Sequence, residues 1–179
     1  MKKKILVPVV ATLMLLSCMV GGTLAYLVDT TEAVENTFTV GNVDITLDES
    51  KELDLKMVPG IELTKDPTVT VEADSEACWL FVKVEESDNL DKFISYTVDS
   101  AWAALDGVDG VYYRDVEASD ADQKFTVLKD NTVTVLGTVT KENLDELTDE
   151  TLPTLTFTAY AVQKDGFDTA EDAWAEAIK

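Results

Sequence analysis

The sequence predicts an all-β protein: an antiparallel β-sandwich of jelly-roll type with one or two short helices, including one at the C-terminus. Three observations carry this. Threonine and valine dominate residues 26–179, at 20 and 18, and branching at Cβ suits both to a pleated surface. Apolar and polar residues alternate in many short runs separated by turn residues. No long helical pattern separates these runs, which argues against a parallel α/β sheet.

The first element is a leader. Met1-Lys2-Lys3-Lys4 is basic, the apolar run 5–20 follows, and Gly21-Gly22-Thr23-Leu24-Ala25 closes it with small residues. This is the layout of a secretory signal peptide, and the run falls short of the roughly 20 residues that span a bilayer. Cleavage is expected after Ala25, with Thr23 and Ala25 in the pockets of a signal peptidase and Tyr26 as the new N-terminus. Two alternatives stand beside it. An uncleaved leader would be the only membrane contact, and Leu15-Leu16-Ser17-Cys18 approximates a lipobox in which Cys18 is lipidated. Residues 26–36 then form an arm whose Tyr26, Leu27, Val28 and Val34 are apolar anchors for a donated strand. Residues 37–179 are expected to form the sandwich domain.

Within that domain, Phe38 and Val40, then Val43, Ile45 and Leu47, alternate with polar residues around a bulge at Gly41-Asn42. Leu53, Leu55 and Met57 alternate before the turn Val58-Pro59-Gly60, and residues 68–72 alternate again. Residues 77–84 are apolar on both faces and predict a central, fully covered strand. Further strands are expected at 94–98, 111–116, 124–128, 132–139 and 155–162. Lys129-Asp130-Asn131 predicts a hairpin between 124–128 and 132–139. Thr140 predicts an N-cap for a helix over 140–147. Asp168-Thr169-Ala170-Glu171 resembles a capping box ahead of Ala173, Trp174, Ala177 and Ile178.

Charge narrows function. The chain has 179 residues with 14 Lys+Arg, 35 Asp+Glu and no histidine, a formal charge of −21. Such a surface repels a phosphate backbone, so no nucleic-acid partner is expected. Without histidine there is no HExxH motif and no histidine-based triad. Cys78 lies in the most apolar strand without a base to activate it, so an inert buried thiol is expected. No acidic pair stands out as a catalytic pair. The loop 105–110 with Asp120 and Asp122 is a candidate calcium site, against the alternative that Asp and Gly simply build turns here. No other cofactor is expected. Trp79, Trp102 and Trp174 are expected to pack in the core or beneath a helix.

Three stretches resemble the TasA/camelysin family of secreted Gram-positive proteins. They are the leader exit and first strand (Gly21 to Thr30, then Asn36 to Leu47), the turn and strand Met57-Val58-Pro59-Gly60 with Lys65-Asp66-Pro67-Thr68-Val69, and the end Thr158 to Gln163 with Gly166-Phe167 and Ala173-Trp174. The resemblance implies processing by a SipW-like signal peptidase, a jelly-roll-like fold and a role in a biofilm matrix or fibre at or outside the cell surface. Its implied partners are further copies or related matrix subunits. It also carries the label of a surface metalloprotease, which the missing histidine opposes. The expected function is a structural matrix protein assembling by strand addition, and not an enzyme. The alternatives are a monomeric surface binding module and, less favoured, a camelysin-like protease.

Overall fold

The computed structural model describes residues 43–49 and 56–179. The leader, its cleavage residues Thr23, Ala25 and Tyr26, Cys18, the arm with Leu27, Val28 and Val34, Phe38, Val40, the Gly41-Asn42 bulge, Leu53 and Leu55 all lie outside the described residues.

Among the described residues ten strands form three antiparallel sheets, and the helices are short, as the alternation predicts. The strands are β1 (Ile45–Asp48), β2 (Glu62–Thr64), β3 (Thr68–Val71), β4 (Cys78–Glu86), β5 (Ile94–Val98), β6 (Ala103–Ala104), β7 (Val111–Val116), β8 (Gln123–Thr126), β9 (Leu128–Val135) and β10 (Leu155–Gln163). Their orders are β1-β3-β8, β10-β4-β7-β6 and β2-β9-β5. The first two sheets face each other. Val43, Ile45, Val69, Val71 and Val127 meet Leu80, Val82, Val84, Ala159 and Ala161 in one buried cluster, with Trp102 inside it.

Strand β4 explains why residues 77–84 read as apolar on both faces. Because successive side chains point to opposite faces, Cys78, Leu80, Val82 and Val84 enter the sandwich core. Phe81 turns the other way, into a second cluster with Val111, Val162 and the helix α2 (Ala170–Ala177). That helix contributes Ala170, Ala173, Trp174 and Ala177, spaced for one buried stripe. Trp174 stands edge-on to Tyr160 at 5.1 Å and tilted against Phe81 at 5.3 Å.

Helix α1 (Lys141–Asp145) starts where expected, because the Thr140 hydroxyl accepts from Asn143 N–H while the Asn143 side chain accepts from Thr140 N–H. The cap of α2 is one residue later than expected. Thr169, not Asp168, is the N-cap, and its Oγ1 accepts from Asp172 N–H at 3.2 Å. Either residue can cap, and only the local backbone selects between them.

The hairpin between 124–128 and 132–139 does not form. Strand β8 pairs with β3, Lys124 opposite Thr70, while β9 pairs with β2, Thr132 opposite Thr64. Only Val127, fully buried, separates the two strands, and its N–H reaches Pro67 O at 2.9 Å. Asp130 and Asn131 do take the left-handed conformation of a turn, with φ of 55° and 54°. They build a bulge within β9, which pairs with β5 at Val98–Leu128 and resumes at Tyr96–Val133. Alternation marks a strand but does not name its partner. The expected strand 132–139 also stops at Val135, since Val139 N–H closes a turn onto Leu136 O at 3.1 Å.

Candidate functional site

Among the described residues, strands β1 and β10 each stand at the edge of their sheet, and they lie beside one another. An edge offers backbone donors and acceptors along its open side. Alternation places Ile45 inward and leaves Asp48 exposed.

The same side carries a buried ion pair. Lys65, only 8% exposed at its side chain, puts Nζ 2.9 Å and 3.2 Å from the two carboxylate oxygens of Glu49. The ammonium also lies 5.3 Å from the centre of the Phe157 ring. Glu49 follows β1, Lys65 follows β2 and Phe157 is on β10, so one cation ties three elements from the three sheets. Desolvating a lone ammonium is costly, and the carboxylate and ring face offset that cost. Nothing in the spacing of residues 49, 65 and 157 signals this contact, which only the fold creates.

Beside Lys65 opens a cavity of about 370 Å³, with Met57, Leu63, Ile94 and Val133 on one side and Leu152 to Thr156 on the other. Its size is at the low end of small-molecule pockets, roughly 300–1,000 Å³. Leu90 and Ile94 line both this cavity and a more open furrow along β5 with Glu86, Asp91, Tyr96 and Tyr112. There the Tyr96 hydroxyl is hydrogen-bonded to the Glu86 carboxylate. Burial first, and then the Glu86 carboxylate, hold the Tyr96 phenol well above its ordinary range.

Cys78 is sealed in the sandwich core with no exposure. Burial, aided by the negative charge of Asp115, pushes its thiol up to about 12, the opposite of what a nucleophile needs. The three tryptophans pack as expected. Trp102 donates Nε1–H to Thr126 O at 2.9 Å, Trp174 is buried on the inner face of α2 against Phe81, and Trp79 is edge-on to Tyr113 at 5.9 Å.

The two halves of the candidate calcium site lie at opposite ends of β4. Gly110 O accepts from Val84 N–H at 2.7 Å near its C-terminal end. Gly110 has a φ of 73°, and a Cβ there would sit 2.6 Å from Val84 O, so only glycine fits this approach. Asp120 and Asp122 belong to the turn that bridges Ser119 to Ser75, ahead of the N-terminal end. Asp122 is engaged in holding Ala73 N–H at 3.0 Å. Six residues of strand separate the two ends, on the order of 20 Å. The loop 105–110 and these aspartates therefore do not share an ion.

A catalytic zinc needs three protein ligands. The chain has no histidine, its described thiol is buried, and among the described residues no three acidic or thiol side chains are grouped to hold a metal. The described residues do not fit a zinc centre, and no metal-assisted hydrolysis follows from this geometry.

Residues 1–78 match the family described as camelysin metallo-endopeptidase. The match supports assignment of the chain to the TasA/camelysin family, and it spans the first two of the three stretches that carry the resemblance. No curated protein and no solved structure matches the chain. Among the described residues no helix is long and apolar enough to cross a membrane.

Proposed function

We propose that this chain, assigned to the TasA/camelysin family by its match over residues 1–78, is an exported structural protein of the extracellular matrix that assembles by strand addition. The observation that carries the reading is the edge formed by β1 and β10 among the described residues; residues 26–36, which precede β1 in the sequence, are the arm proposed to seat on such an edge. Once a peptidase frees Tyr26, the arm has apolar residues at Tyr26, Leu27, Val28 and Val34 to seat on the open edge of another copy. Main-chain hydrogen bonds then supply affinity and the alternate side chains supply register. A head-to-tail contact of this kind does not close on itself and grows as a fibre.

The description of the matched family favours a second reading, a metallo-endopeptidase. The ligand set opposes it for this chain, as does the sealed thiol. The two readings separate in two experiments. Electron microscopy of the cleaved protein, with and without residues 26–36, tests assembly. Casein digestion with and without a chelator tests the protease, and chelator-sensitive cleavage by the purified protein would establish it. Absence of both filaments and cleavage would leave the monomeric surface module.

A further inference from the structure

The cavity beside Lys65 and the furrow along β5 adjoin at Leu90 and Ile94, which line both, and together they are taken as one groove. The cavity part is lined mainly by apolar side chains, the furrow part by apolar and polar ones alike, and Leu152 remains 46% exposed at the cavity wall. Its rim is acidic. Exposed Glu86, the last residue of β4, and exposed Asp91 line the furrow, Asp88 lies between them in sequence, and the segment leading to Leu152 carries exposed Asp149 and Glu150. Hydrogen bonds fix these two segments against each other: Ser87 N–H to Thr154 O at 3.0 Å, Thr154 N–H to Ser87 Oγ at 2.9 Å, and Asn89 Nδ2–H to Thr151 O at 2.9 Å. The rim is thus held in place by loop-to-loop bonds. The cations near these residues in sequence are Lys56 and Lys92, both exposed, Lys83, which pairs with Glu85, and Lys65, whose charge Glu49 answers.

We propose that this groove docks an extended segment of a different protein in which apolar residues alternate with lysine or arginine. An apolar floor takes the alternate side chains of a strand-like segment, while the carboxylate rim meets the cations between them. The charge of the whole chain, −21, steers such a partner towards the surface from a distance. The same argument excludes the arm of a second copy. Residues 26–36 carry Asp29, Glu32 and Glu35 and no lysine or arginine, so the arm would bring like charge to an acidic rim. The groove therefore serves a partner other than the one in the fibre contact, and the inference does not rest on the fibre reading.

The test uses a short synthetic peptide alternating lysine with leucine and valine, and the same peptide with glutamate at each lysine, titrated into the purified protein by calorimetry. The lysine peptide should bind, and binding should weaken about tenfold in Leu152→Asp, whose site is exposed enough to keep the fold. The double variant Asp149→Lys, Glu150→Lys should weaken it too and reduce its dependence on salt. Circular dichroism confirms that each variant is folded. No binding, equal binding of the glutamate peptide, or indifference to Leu152→Asp would overturn the proposal. So would binding seen only after Leu53 and Leu55 are changed to serine, which would mean that the chain fills its own groove. A dimer in sedimentation that Leu152→Asp abolishes would assign the groove to a second copy, and would overturn it equally.

Discussion

The guanidinium of Arg114, the only arginine in the sequence, lies 3.9 Å from the centre of the Phe125 ring. Trp102 flanks the same group at 5.4 Å. Arg114 is on β7 and Phe125 on β8, so this cation joins the two facing sheets at the side away from β10. Burial draws its pKa down, and the charge of Asp99 opposes that. A planar cation stacks on a ring where a compact ammonium does not. Arg114→Lys should therefore cost about 1 kcal/mol of stability in urea unfolding. A double-mutant cycle with Phe125→Leu should show coupling of roughly the same size. A coupling of zero would mean that the stack holds nothing together.

The Lys65–Glu49 pair makes an asymmetric prediction. Glu49→Ala leaves a buried ammonium without its carboxylate and should destabilise by about 3 kcal/mol. Lys65→Met combined with Glu49→Gln removes both charges and should recover most of that loss. Equal losses in the single and double variants, read by urea unfolding, would contradict the account of this contact.

Cys78 predicts a pH dependence. Its thiol is pushed up to about 12 in the folded protein from an ordinary value of 9.0. A raised pKa means that folding favours the protonated thiol. That contribution to stability is fully present below pH 9.0 and is lost as pH rises towards about 12. At neutral pH the thiol should react with an aromatic disulfide reagent only when urea opens the core. Rapid labelling of the folded protein would contradict the burial.

Trp174 anchors α2 to the outer face of β4 and β10. Trp174→Ala should cost about 3–5 kcal/mol, the usual loss for truncating a buried aromatic. Hydrogen exchange should rise in residues 170–177 before it rises in β3, because the core between the two facing sheets has no contact with this side chain. Uniform loss of protection across both would contradict the separation of the two clusters.

How much of this was legible in the sequence depends on how local the cause is. The two-faced apolar run at 77–84 identified the central strand, because a strand covered on both sides cannot afford polar residues in its middle. Thr140 announced α1, since a cap acts within one turn. The placement of β8 and β9 was not legible, because Lys124 and Thr132 find partners some sixty residues away, at Thr70 and Thr64. Strand β2 was missed for its length of three residues, and β6 for its two. The Lys65–Glu49 pair and the Arg114 stack were equally hidden, as each joins elements that only the finished topology brings together. For the candidate sites, histidine-free composition already spoke against zinc, whereas the separation of Asp120 and Asp122 from loop 105–110 required the fold.

Like-charge repulsion should govern assembly. Residues 1–25 hold three lysines and no acid, so the chain without them would carry −24. At physiological ionic strength the Debye length is about 8 Å, which weakens this repulsion without abolishing it. Calcium should promote association by lying between carboxylates of neighbouring copies, and light scattering with and without calcium reads the effect. No change on addition would remove counter-ion bridging from the account.

The central claim is that a freed N-terminal arm completes the sheet edge of another copy. Negative-stain electron microscopy of the protein beginning at Tyr26, compared with the protein lacking residues 26–36, tests it most directly. Filaments in the first sample and folded, dispersed particles in the second are the predicted result. Filaments that persist without the arm would contradict it.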